Sequence, residues 1–246
     1  MSVTTDRIVQ PLIRRLTSTA NPSDEVIRAL ADLPFTVKSF EPGQDIVRDG
    51  ERPEHCAAVI EGWLCRFKLL PDGGRQIIAF HIAGDMPDLQ SLHLGVLDHS
   101  ISAVTPCTVA LIPHEALRQR TARLPDLAAL LWRETMIDAA LFRGWVTAMG
   151  RRSAYGRTAH LFCELHMRQR AVGLAEPRHS PMPLRQTDLA DAMGLTSVHI
   201  TRTLGALRKS GLITLQGRTL TIHDWDGLCQ AAEFDPSYLH LGKANG

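Results

Sequence analysis

Histidine and cysteine are the side chains best suited to hold a metal or to run acid–base and thiol chemistry near neutral pH. This chain carries eleven of the first and five of the second. Their spacing builds no site. The cysteines stand at 56, 65, 107, 163 and 229 with no CxxC pair. An odd, scattered set of this kind reads as reduced thiols of a cytosolic protein, buried as small hydrophobes. A metal centre of the cupin type needs an HxH pair, a nearby carboxylate and a later histidine, whereas His93 and His99 are six apart and His81 is isolated. Adjacent His55 and Cys56, placed on a strand, would point to opposite faces. No catalytic residue, metal or cofactor is expected.

The chemistry that does concentrate is cationic. From Arg151 to His223 there are eleven basic and four acidic residues, a local charge of +7 in a chain whose total is only +1. A basic module on an acidic remainder suggests a half that binds a polyanion. Its informative stretch is Leu184–Ile222. Thr187 is a candidate cap for a short helix through Met193, Gly194 permits a tight turn, and Thr196 can cap a second helix, Ser197 to about Ser210. Ile200, Leu204 and Leu207 fall on one stripe of that second helix, which turns Val198 and Arg202 to the opposite face with Ser197, His199 and Thr201 beside them. Leu212–Leu215, Gln216-Gly217 and Arg218–Ile222 read as a hairpin wing, Arg218 being its candidate phosphate contact. Two short helices about a glycine turn, followed by a wing, form a winged helix-turn-helix that binds double-stranded DNA.

Other elements must carry this module. At 246 residues, 44% apolar and 22% charged, the chain is long enough for two cores and is neither disordered nor a rod. No apolar run is long enough to span a membrane, and Met1–Leu16 lacks a signal-type apolar stretch, so a cytoplasmic protein is expected. Up to Pro113, apolar segments (Phe35–Phe40, Ala57–Ile60, Trp63–Leu69, Gln76–Ile82, Thr108–Ile112) alternate with glycine turns, Pro71-Asp72-Gly73-Gly74 being the clearest, and this pattern predicts an all-β barrel or roll. From Pro125 to Met149 the period becomes helical, over a length of roughly 37 Å. Its stripe, with Leu127, Leu130, Ile137, Leu141 and Trp145, exceeds what one roll can cover and predicts a homodimer seam, interrupted by Glu134 and Asp138. A further helix over 154–171 capped by Ser153, then a proline-rich connector over 176–183, leads to the module. The fold class is thus α+β, with the β-barrel or β-roll at 1–124, a dimerisation helix at 125–150, the winged helix-turn-helix at 151–224, and a tail at 225–246 whose Trp225, Phe234 and Tyr238 pack back onto it.

Pro42-Gly43-Gln44, Glu61-Gly62, Leu70 through Gln76, Gly84-Asp85, Ser153 through Arg157, and above all Gly194-Leu195-Thr196 through Arg202 follow one another in a specific order and spacing. In these the chain resembles the Crp/Fnr family of bacterial transcription regulators over most of its length. The resemblance implies a cyclic-nucleotide-binding-type β-roll, a dimerisation helix, a palindromic operator and RNA polymerase as a further partner. It also implies an effector pocket at Met86, Leu97, His99, Ser100, Phe142 and Arg143. Cyclic AMP is not the expected effector. The cassette that begins Gly-Glu in the cyclic-AMP sensor begins Gly84-Asp85 here, and Leu97, Asp98 and His99 stand where its phosphate-binding arginine falls. Phe142 and Arg143 replace the Thr-Ser pair that contacts the purine. The first cysteine is Cys56, so the N-terminal cluster that holds iron–sulfur in the oxygen-sensing branch is not expected either. The alternatives are a cupin-type β-roll enzyme with an accessory DNA-binding module, and a scaffold regulated by a partner protein.

Overall fold

The computed structural model describes residues 3–242, so residues 1–2 and 243–246 of the two terminal segments lie outside the described residues. The chain divides into two compact units. The first contains the chain up to Lys68, Ala79–Asp138 and the chain from Leu241 onward; the second contains Leu69–Ile78 and Ala139–His240.

Two helices absent from the sequence expectation open the first unit, α1 (Val3–Thr17) and α2 (Asp24–Ala31). Ser23 caps α2 by accepting from the amide of Val26, and Asp24 and Glu25 sit at its positive end. The strands follow: β1 (Thr36–Phe40), β2 (Asp45–Val47), β3 (His55–Glu61), β4 (Leu64–Leu69), β5 (Arg75–His81), β6 (Ser100–Ala103) and β7 (Cys107–Pro113). They form two sheets, of order β1-β7-β3 and β2-β6-β4-β5. Helix α3 (His114–Arg123) and the long α4 (Pro125–Arg151) complete the series. The roll's interior holds Ala57, Val59, Leu64, Ile101 and Val109. On the other face of β3, Cys56 and Ala58 pack with Leu12, Leu16, Leu30, Leu127 and Leu130 from the helices. Both faces of β3 are covered, which is why its sequence reads as a continuous apolar run rather than an alternation.

The second unit adds α5 (Ala154–Ala171), β8 (His179–Pro181), α6 (Gln186–Met193), α7 (Ser197–Lys209), β9 (Ile213–Gln216), β10 (Thr219–Ile222) and α8 (Trp225–Ala232). Its antiparallel sheet runs β8-β10-β9, so the proline-rich connector also supplies an edge strand, where a missing amide costs least.

The two faces of α4 differ in burial. Leu127, Leu130, Ile137 and Trp145 are buried within their own chain, and Leu141 is half-buried. At about 100° per residue, the exposed apolar side chains Trp132, Met136 and Val146 lie on the opposite face of the helix, with Phe142 at its edge. Most of the stripe the sequence displays is thus covered by the chain's own cores. A test of the roll's packing is Ile101→Ala, at a fully buried position between the sheets. It should cost about 2–5 kcal/mol in urea unfolding of the first unit, and a loss well under 1 kcal/mol would show a loosely packed interior.

Candidate nucleic-acid interface

Helix α6 begins without a small polar cap. Its first-turn Asp188 takes that role from inside the helix, accepting the backbone N–H of Arg185 at 3.0 Å. Thr187 is therefore not the cap the sequence suggested. Gly194 ends α6 at φ +58°, and a Cβ there would stand 2.8 Å from the Met149 Cε. The turn needs glycine for both conformation and space. Thr196 then caps α7 by accepting from the amide of His199 at 3.2 Å, as its position predicts. Ile200, Thr203, Leu204 and Leu207 are buried, while Ser197, Val198, His199, Thr201 and Arg202 are all exposed, Val198 at 62%. Thr201 donates to Gln186 Oε1 at 2.7 Å, tying α7 to the start of α6.

The wing turns one residue later than its sequence suggests, at Gly217-Arg218, with Gln216 paired to Thr219. Both turn residues have positive φ, +59° and +64°, the two-residue geometry that matches the right-handed twist of the strands. Arg218 is exposed at the tip. Beside α7 a cleft of about 580 Å³ is lined by Ser153, Tyr155, Thr196, Val198, His199 and Arg202 among others. Ser153 also caps α5 by accepting from Gly156, as predicted.

Sequence reasoning missed the buried charge under this surface. Glu164 is fully buried in α5 and accepts from Trp145 Nε1 at 3.1 Å, Tyr238 OH at 2.8 Å and Arg168 at 3.5 Å. Burial raises its pKa, against the pull of Arg168 and of the two hydrogen-bonded rings. The tail packs here: His160 stacks on Tyr238 and meets Phe234 edge-on, and His166 contacts Trp225. Burial, then the Arg152 charge, lowers His160 to about 4. Burial, then Arg170, lowers His166 to about 4 as well.

The candidate effector residues fall in both units. Leu97 is part of the roll's interior, Met86 packs beside the helical core, and the Ser100 hydroxyl accepts the Asp49 amide at 3.0 Å. The His99 ring lies between Asp98, at 2.7 Å, and Gln90, at 3.2 Å. Phe142 and Arg143 belong to the second unit and are exposed. The first unit's buried cation is instead Arg66, which donates to Asp138 at 2.8 Å and to the Pro87 carbonyl at 2.5 Å. Nearby Asp88 is buried and raised to about 7 by that burial. No cluster of three or more His, Cys, Asp or Glu able to hold a metal occurs among the described residues. No described helix is long and apolar enough to cross a membrane.

A β-roll, a long helix and a winged helix-turn-helix define a DNA-binding transcription regulator. The family described as cyclic nucleotide-binding domain matches residues 37–123, and that described as Crp-like helix-turn-helix domain matches 156–231. The fumarate and nitrate reduction regulatory protein of Escherichia coli (strain K12) is 26% identical over 195 residues, covering 79% of this chain and 78% of its own. The structure of FixK2 from Bradyrhizobium japonicum is similar with a TM-score of 0.74 at 26% identity, covering 81% of this chain and 98% of that one. A transcriptional regulator of the CRP/FNR family from Thermus thermophilus shares the fold, with a TM-score of 0.60 at 20% identity over 81% of this chain and 99% of that one. The chain belongs to the Crp/Fnr family of transcription regulators. These relatives are regulators, not enzymes, and the cupin-type alternative has no support.

The two depressed histidines give the second unit an acid limit. A folded pKa of about 4 against an unfolded value near 6.5 means that the unfolded chain binds the extra proton first. Stability should be full above pH about 6.5 and fall as pH drops toward 4, by at most on the order of 3 kcal/mol per histidine. His160→Phe, an aromatic replacement in the same stack, should remove part of that slope in urea titrations followed by far-UV circular dichroism. An unchanged slope would acquit His160.

Proposed function

We propose that this protein is a cytoplasmic, homodimeric regulator that reads a palindromic operator through α7. The carrying observation is the division of α7, whose exposed Ser197, Val198, His199, Thr201 and Arg202 back onto buried Ile200, Leu204 and Leu207. Arg202 pairs with guanine, and Val198, which cannot accept a hydrogen bond, packs on a thymine methyl. Arg218 at the wing binds phosphate without reading sequence. Half-site centres lie about 34 Å apart, one helical turn. The dimer seam runs along Trp132, Met136, Phe142 and Val146 of α4, because these are the apolar side chains that its own chain leaves exposed. RNA polymerase is the further partner expected of the family.

The β-roll's sensor pocket is degenerate, and cyclic AMP is not its ligand. An anionic phosphate needs a cation, and the buried Arg66 is already matched by Asp138 and the Pro87 carbonyl.

Selection of binding sites from random DNA tests the reading. Arg202→Ala should cost about 1–3 kcal/mol on the selected site and relax one base, whereas Arg218→Ala should weaken all sequences alike. If Val198→Glu selects the same sequence as the wild type, Val198 reads no base. Trp132→Glu with Val146→Glu should give a folded monomer by light scattering; a persistent dimer would move the seam elsewhere. Calorimetry with cyclic AMP should register no binding, and submillimolar affinity would mean that the roll keeps a working nucleotide pocket.

A further inference from the structure

Within the second unit, the turn between β4 and β5 reaches α6. Leu70 accepts from Gly73 and donates to Gly74, closing a tight loop that presents Arg75 and Gln76. Arg75 then forks: Nε donates to Asp191 Oδ2 at 2.8 Å and Nη2 to Asp188 Oδ1 at 3.0 Å. Gln76 Nε2 donates to the Ala192 carbonyl at 3.2 Å, close to the end of α6. One guanidinium thus spans two carboxylates on one face of α6, and the neighbouring amide holds the helix's C-terminal end.

Helix α6 needs such help. It has eight residues and no side-chain cap of the usual kind, so little of its stability is intrinsic. Asp188 is 1% exposed and shared between Arg75 and Arg185. Burial would raise its pKa, but the hydrogen bonds and charge of Arg185, with Arg75 adding, bring it down. Arg185 is itself largely exposed, so the less exposed cation on this carboxylate is Arg75. The position of α6 passes to α7 through the Gly194 turn, which Met149 packs against, and through the Thr201–Gln186 bond.

We infer that Arg75 is a positioning residue for DNA recognition: its fork on Asp188 and Asp191 fixes α6, and so the stance of α7 on the operator. Arg75 also offsets two carboxylates on the unit that must approach phosphates, an effect of the same sign. The inference rests on α7 being the recognition helix.

Affinities of the full-length dimer for its selected site and for random DNA, taken at one salt concentration, test it. Failure of the wild type to select any sequence would sink the recognition reading itself. If the wild type does select a site, Arg75→Gln should lose about tenfold on that site and less than about threefold on random DNA. A merely structural role would lower both together, along with the melting temperature. Asp191→Asn alone should weaken the specific complex, and R75Q/D191N should bind no more weakly than R75Q, because the pair acts as a unit. Arg75→Lys, which keeps the charge but not the fork, should lie between wild type and R75Q, and it carries the test if R75Q does not fold. The inference is overturned if R75Q, or R75K where R75Q does not fold, binds its site like the wild type. A parallel loss on specific and random DNA, or single losses that multiply in the double variant, overturns it too.

Discussion

The second unit is organised around a carboxylate that has no access to water. Burying Glu164 is expensive, and the expense is tolerable only because three donors converge on it from three parts of the chain: Trp145 at the end of α4, Arg168 one turn along α5, and Tyr238 in the tail. Removing any of the three would leave a buried lone pair or charge unmatched, so α4, α5 and the tail are held to one arrangement. The winged helix-turn-helix stands on that arrangement, since α7 reaches α5 through the bond between Tyr155 and Ser210, at 2.7 Å. The tail is therefore part of the unit's core even though it extends past residue 231, where the family match ends.

The first unit uses the same device on the N-terminal half of α4. Arg15 of α1 bridges Asp85 and Glu134, each at 3.0 Å, and Arg66 of β4 pairs with Asp138. Glu134 and Asp138 look, in the sequence, like polar interruptions of a dimer stripe. They are the anchor points by which the chain's own arginines grip the helix. With Glu134 and Asp138 held by these arginines and Leu127, Leu130, Ile137 and Trp145 buried, α4 leaves Trp132, Met136, Phe142 and Val146 exposed.

What could be read in the sequence follows from what local chemistry controls. Gly194 and Thr196 announce a turn and a cap by themselves, and the 3.6-residue spacing of Ile200, Leu204 and Leu207 fixes which side of α7 is dry. The loop at Leu70–Gly74 is legible for the same reason. Strands β2 and β6, of three and four residues, are too short for a period to register. Helix α1 has its apolar positions diluted among charges that become meaningful only when Arg15 meets Asp85 and Glu134. The α4 stripe is the instructive case. Periodicity identifies a helix face that must be covered, but it does not say whether the cover comes from the same chain or another. Correspondence of positions with a family likewise cannot reveal that Ser100 and His99 are already bonded to neighbours.

A total charge of +1 is a poor endowment for a DNA-binding protein, but even the local +7 understates the field at the surface. Charge matters to a polyanion only where it faces solvent. Of the four acidic residues between 151 and 223, Glu164 and Asp188 are buried and Asp191 is half-buried against Arg75, which leaves Glu176 as the exposed one. Arg170, Arg178, Arg202, Arg208, Lys209 and Arg218 are all exposed. Folding thus sorts the charges, drawing carboxylates into pairs that build the unit and leaving cations outside. The internal ion pairs that stabilise the fold are also what make its surface more positive than its composition.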